Sequence, residues 1–204
     1  MRSFRLVAVV AALVLARPAS AQWHLGVLAS DARFWGGAEQ PVSTDPAEIL
    51  DFRPSRSTLY GIEFGRRFEV AAVTVRVQFA STGLEGTGGS TSIVFEGENA
   101  LWEFTPQLGV RVASFLDRGE VSARIGPVVS IWDPSGGDPT RTRLGALGTV
   151  EAGFGISTRF RAVVAADLGV SESIFSEEDF VEATPPTLKS LWRRQLTLGL
   201  RYRL

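Results

Sequence analysis

The sequence predicts an all-β fold, an eight-stranded antiparallel up-and-down transmembrane β-barrel behind an N-terminal signal peptide, on three observations. The last ten residues alternate without a break, with Leu196, Leu198, Leu200, Tyr202 and Leu204 on an apolar row and Gln195, Thr197, Gly199, Arg201 and Arg203 on a polar one. Seven earlier stretches repeat that period of two, the pattern of a strand held between an oily medium and a polar one. The connections between the eight stretches alternate long and short along the whole chain.

The chain opens with Arg2 and Arg5, an unbroken apolar run from Leu6 to Ala16, and a small-x-small site at Ala19-Ser20-Ala21. This predicts a signal peptide over 1–21 and one domain over 22–204. The apolar run is about half of the ~20 residues that a spanning helix requires. Three arginines and no acids leave with the leader, so the 21 basic residues fall to 18 against 22 acidic ones, and the net charge falls from −1 to −4. That balance excludes nucleic acid as a partner. An exported chain without a single cysteine has no disulfide to hold it, and closure of the sheet is the expected source of stability.

Taken in order, Trp23, Leu25, Val27 and Ala29 form the outward row of a first strand. Ala32 and Phe34 then appear on the other parity, which predicts either a bulge or an end to pairing near Ser30. Gly36 to Arg56, with Pro41, Pro46 and Pro54, reads as a surface loop without ladder strands. The second strand carries Tyr60, Ile62 and Phe64, and the third Val73, Val75, Val77 and Phe79. Ser81 to Asn99 is a Gly-rich connection whose segment Ser92 to Glu96 is able to prolong the next strand.

The fourth strand sets Trp102, Phe104, Leu108 and Val110 outward, and the fifth Val121, Ala123, Ile125, Val129 and Ile131. Pro106 and Pro127 fall on those outward rows, and each predicts a local irregularity because it donates no ladder hydrogen bond. The loop Asp133 to Thr142 leads to the sixth strand around Val150 to Ile156, and a short turn leads to the seventh around Ala162 to Val170. The loop Ser171 to Leu191 precedes the closing strand. An even strand count places both ends on one side, and pairing of the first strand with the last removes the edges that lipid does not tolerate.

The inward rows collect Glu63, Glu103, Glu151 and Asp167 against Arg76, Arg111, Arg124 and Arg201. Four acids matched to four arginines, in a lumen only wide enough for side chains, predict a salt-bridged plug. The alternative is a soluble barrel with its charges in water and its aromatics around a ligand. Tyr60, Phe64, Phe79, Trp102, Phe104, Phe154 and Tyr202 near strand ends suit membrane-interface girdles better.

On this architecture the chain resembles the small eight-stranded outer-membrane barrels of the OmpA transmembrane-domain and OmpX type. Thr197, Gly199, Tyr202 and Leu204 look like the terminal signal by which the barrel-assembly machinery recognises its clients, with Leu204 where the family more often ends in Phe. The resemblance implies a monomer in the outer membrane of a Gram-negative-type bacterium, with external loops, outer-membrane lipid and lipopolysaccharide as its partners, and no cofactor. Arg141, Arg143, Lys189, Arg193 and Arg194 would lie near the outer rim, where guanidinium and ammonium groups meet lipopolysaccharide phosphates.

Catalytic chemistry finds little support. The single histidine, His24, starts the first strand at the periplasmic rim, far from where an outer-leaflet enzyme would act. Gly83, Gly86, Gly88 and Gly89 are followed by no lysine and open no helix, so they form no phosphate cradle. Asp133, Asp138 and Glu177 to Asp179 match no calcium-ligand spacing, and no metal is expected. The expected role is structural or adhesive. A narrow porin-like conduit for small solutes is the alternative, and a lipopolysaccharide-modifying enzyme the third.

Overall fold

A computed structural model of the chain describes residues 22–41, 49–88, 91–134, 139–180 and 185–204. The expected signal peptide lies outside the described residues. In chain order the strands are β1 (Gln22–Trp35), β2 (Ala38–Pro41), β3 (Ile49–Pro54), β4 (Ser57–Arg67), β5 (Ala71–Gly88), β6 (Thr91–Phe115), β7 (Gly119–Asp133), β8 (Arg141–Gly155), β9 (Phe160–Ser171), β10 (Thr187–Leu188) and β11 (Leu191–Arg203). Eight of them, β1, β4, β5, β6, β7, β8, β9 and β11, pair antiparallel in a closed ring, with β1 joined to β11 on one side and to β4 on the other. Short turns connect one end of the barrel and long connections the other.

The period of two decides which row faces out. Val27, Ile62 and Leu196 are 59, 56 and 56% exposed, whereas Glu63 and Thr197, one residue further along their strands, are 0 and 1% exposed. An apolar exterior around a charged interior is the reverse of a soluble barrel, and it matches a wall that stands in hydrocarbon. Aromatic pairs mark both rims. Trp23 stacks on Phe64 at 4.9 Å and Phe160 meets Tyr202 at 5.2 Å toward the turn end, while Trp35 stacks on Trp192 at 6.3 Å at the loop end.

The structure departs from the sequence expectation at one strand and two connections. β1 has no bulge near Ser30, and its ladder runs on to Trp35 opposite Trp192. Ala32 and Phe34 keep the inward parity of Ser30 because the lumen itself turns apolar at that level. The segment 36–56 does contain ladder strands. Gly36 and Gly37, at φ of 78° and 118°, turn the chain back so that β2 pairs with β3, and β3 continues onto the top of β5. Its prolines Pro41 and Pro54 sit at strand ends, where a missing donor is tolerated. The Gly-rich connection after Ser81 is largely strand too, since β5 and β6 pair from Gly88 and Thr91 downward with one register shift between Thr82 and Leu84.

At the loop end these segments close over the barrel. Ala32, Phe34, Ala38, Leu59, Ala80, Leu101, Trp132, Ile174, Phe175 and Leu191 form one buried cluster, with Phe52, Leu84 and Phe180 against it. It is a small hydrophobic core seated inside the mouth of a barrel.

Pro106 and Pro127 produce one shared irregularity. The β6–β7 ladder pairs Phe104 with Val129 and resumes at Leu108 with Ile125, so the two prolines face each other across an unpaired step. The strands approach so closely there that a Cβ on Gly126 would stand 1.8 Å from the Pro106 carbonyl oxygen. Gly126→Ala should therefore lower folded-state stability by about 2 kcal/mol through overpacking. Gly148→Ala, whose added carbon meets nothing nearer than 3.9 Å, should stay within about 0.5 kcal/mol of the parent chain. Urea titration of the heat-modifiable band compares the two.

Candidate functional site

The lumen is the region where this sequence concentrates buried chemistry, because every polar row of the eight strands converges on it. Glu63 of β4, fully buried, is the hub. Its carboxylate accepts hydrogen bonds from Arg201 Nε at 2.7 Å and Arg124 Nη1 at 2.8 Å, lies 3.2 Å from His24 Nε2, and pairs with Arg76 at 3.7 Å. Glu151 of β8 takes the remaining ends of Arg124 and Arg201, with Arg201 Nη2 at 2.5 Å. Arg76 crosses from β5 to Asp167 of β9 at 3.2 Å, and Thr197 donates to the same carboxylate at 2.8 Å. The layer continues as neutral polar contacts, in which Gln78 donates to Ser30 at 3.0 Å and Gln107 to Thr149 at 2.9 Å.

Seven of the eight residues expected in the lumen network are buried in it or directly above it. Arg111 is not among them. It lies beside a register shift in β6 between Arg111 and Ala113, exposed at the turn end. The fourth buried guanidinium is Arg193, which pairs with Glu103 while Ser130 donates to the same carboxylate at 3.0 Å. Arg193 is 5% exposed, so it is unavailable at the outer rim. Its inward direction follows from parity: the polar row of β11 extends two residues back from Gln195. A further cluster, Glu120 with Arg67 and Arg161, was not anticipated and lies below the hub. It lines a recess of about 140 Å³ at the turn end, bounded above by Arg124 and Arg201.

The other expected rim cations are also placed. Arg143 binds the Ser173 carbonyl, and Arg141 binds the Ile174 carbonyl at 2.9 Å and the Asp179 carboxylate. Lys189 pairs with Glu39, its backbone N–H donating to Gly37 at 2.8 Å. These three hold the loop between β9 and β11 against the barrel mouth. Only Arg194 faces outward from the wall.

Among the expected assembly-signal residues, Thr197 is in the lumen and a Cβ on Gly199 would meet Leu28 Cδ2 at 2.5 Å. The Tyr202 hydroxyl accepts from Arg159 at 3.1 Å, and Leu204 donates its backbone N–H to Trp23 at 3.0 Å. Among the described residues, no group of three metal-ligating side chains is gathered. Asp138 lies outside the described residues.

No family model matches the chain, and no curated protein is similar to it. Solved structures do match. The outer membrane protein OprG from Pseudomonas aeruginosa superposes with a TM-score of 0.59 at 9% identity, covering 91% of this chain and 96% of that one. Neisserial surface protein A superposes with a TM-score of 0.54 at 11% identity, covering 91% and 99%. The fold is that of the small eight-stranded outer-membrane barrels.

Two measurements test the site. Glu151→Leu leaves parts of Arg124 and Arg201 buried without their carboxylate and should cost about 3 kcal/mol, while Arg111→Ala should fall within about 0.5 kcal/mol of the parent; urea midpoints in the same micelles give both. In the loop between β9 and β11, partial burial pushes the Asp179 carboxyl up, but hydrogen bonds from Arg141 and Ser176 and the Arg141 charge outweigh it and hold it below the ordinary carboxylate value. A lowered pKa stabilises the docked loop above the ordinary carboxylate pKa, and that contribution is lost as pH falls through the lowered value. The protection of the Phe175 amide, whose N–H bonds Ser173, measured relative to its intrinsic exchange rate at each pH, should therefore hold at neutral pH and fall only in acid.

Proposed function

We propose that this outer-membrane barrel is a non-enzymatic, non-conducting monomer with a structural or surface-interaction role, presenting its partner-facing chemistry on the external strands and loops. The observation that carries the proposal is that the lumen is filled at two levels by different chemistry. Buried guanidinium–carboxylate contacts around Glu63 fill the middle, and the apolar cluster around Phe34, Trp132 and Phe175 fills the external mouth. A solute would have to break both. The periplasmic recess ends at Arg124 and Arg201.

The external surface supplies what a partner requires. β2, β3 and β10 extend the top of β5 as a small sheet, and Ile49 and Leu188 are 39 and 41% exposed upon it. A rigid frame that offers loops and strand edges is the usual arrangement for binding. His24 is engaged with Glu63 on the periplasmic side and has no role in outer-leaflet chemistry. Thr197, Gly199, Tyr202 and Leu204 serve the barrel-assembly machinery during insertion in this proposal, before they take up the contacts described above.

Reconstitution into planar bilayers tests the closed lumen. The expected record has no discrete open levels for the parent chain, and none for Phe34→Ala, because the charged layer beneath the cap remains. Reproducible unitary steps from the parent chain would replace this proposal with the conduit.

A further inference from the structure

The outer wall carries a feature that a lipid-facing surface does not ordinarily tolerate. Arg33 of β1 and Arg194 of β11 are direct cross-strand partners, both exposed on the outward row. Like charges in that position repel. Immediately toward the loop end stand the stacked rings of Trp35 and Trp192. Toward the membrane centre, Leu196 and Leu198 resume the apolar row, 56 and 59% exposed. Two residues of strand span roughly 7 Å, so the guanidinium pair lies one rung to the membrane side of the tryptophan rim, at the depth of lipid headgroups.

The pair borders a cleft of about 540 Å³ on the outside of the barrel, which Arg53, Arg56 and Glu85 complete. The carboxylates beside it are already engaged. Glu85 accepts from Arg53 at 2.5 Å, and Asp31 takes both prongs of Arg56 at 2.6 and 3.0 Å. Four arginines therefore meet two carboxylates, and the excess positive charge falls at Arg33 and Arg194. A dianionic phosphate bridging two guanidiniums by charge-assisted hydrogen bonds removes the repulsion and satisfies the excess.

We propose that this cleft is a binding site for a phosphate group on the headgroup of an outer-leaflet glycolipid, with Arg33 and Arg194 as the phosphate clamp and Trp35 and Trp192, on its loop side, against the sugar. The site rests on the membrane-embedded barrel described above and not on the role of the external loops. It differs from the rim set expected from sequence, of which only Arg194 takes part.

The test uses the refolded full-length mature chain in neutral detergent micelles doped with purified diphosphorylated lipid A or with its enzymatically dephosphorylated form, read by thermal loss of the heat-modifiable band. The parent chain should be stabilised by the phosphorylated lipid and not by the dephosphorylated one. The double variant Arg33→Gln with Arg194→Gln should bind the phosphorylated lipid at least about tenfold more weakly, since two charge-assisted contacts are lost. Without lipid the double variant should be at least as stable as the parent, because the like-charge contact is gone; a merely structural role for the arginines predicts the opposite. Arg203→Gln, an exposed arginine at the periplasmic end, should behave as the parent. Equal stabilisation of parent and double variant, or of the parent by both lipids, would overturn the site. Stabilisation by soluble inositol hexaphosphate at matched phosphate concentration, with none from the phosphorylated lipid, would also overturn it and reassign the cleft to a soluble polyanion. A parent chain with no heat-modifiable band would instead overturn the membrane barrel itself.

Discussion

The mutual neutralisation of arginine and carboxylate across the lumen is the constraint on which the molecule depends. In lipid, the apolar exterior gains nothing by leaving water when the ring closes, so association of the wall must draw on packing and polar contacts inside. Here those contacts span the ring. Arg76 links β5 to β9, and Arg201 links β11 to β4 and β8 at once. Glu63 holds three guanidiniums and approaches His24, and no neighbour of Glu63 is free to turn without leaving charge uncompensated in a dry space. The cross-section of the barrel is thereby set by side chains as well as by hydrogen-bond register.

Above that layer the interior changes character. The inward parity of β1 passes from Ser30 to Ala32 and Phe34, that of β4 from Glu63 up to Leu59, and that of β7 from Ser130 to Trp132. A polar fill would have no partner at this level, where loop residues Ile174 and Phe175 descend into the mouth. Arg141 and Arg143, rooted in β8, grip the carbonyls next to those residues. The described residues that follow β9 are thus packed with the barrel as one body.

Much of this was legible in the sequence. A strict period of two, alternating connection lengths and a balanced inward row are enough to specify eight strands, their facing and the chemistry of the plug. Where expectation failed, the causes are local. Arg111 and Arg193 exchange roles because the inward row of β6 reaches the open recess at the turn end by Arg111, opposite Ser122 and not an acid, and because the inward row of β11 continues two residues past the point where the alternation was counted. Ala32 and Phe34 looked like a change of face because an apolar residue was equated with the lipid side, an inference that fails wherever a lumen has an oily section. The strands inside 36–56 were hidden by prolines, which sit at their ends. The arginine pair at 33 and 194 required the register of β1 on β11, which no single stretch of sequence contains.

Pro106 and Pro127 show how a membrane wall accommodates residues that cannot donate. Had they lain on separate rungs, two independent breaches would have been cut in the β6–β7 seam, each with a carbonyl deprived of its N–H in hydrocarbon. Face to face, they merge into a single defect, and their other flanks still pair with Val75 and Ala146. The seam nevertheless has fewer rivets there than any other stretch of that staircase. The opening is confined to three residues on each strand, and pairing resumes on both sides of it.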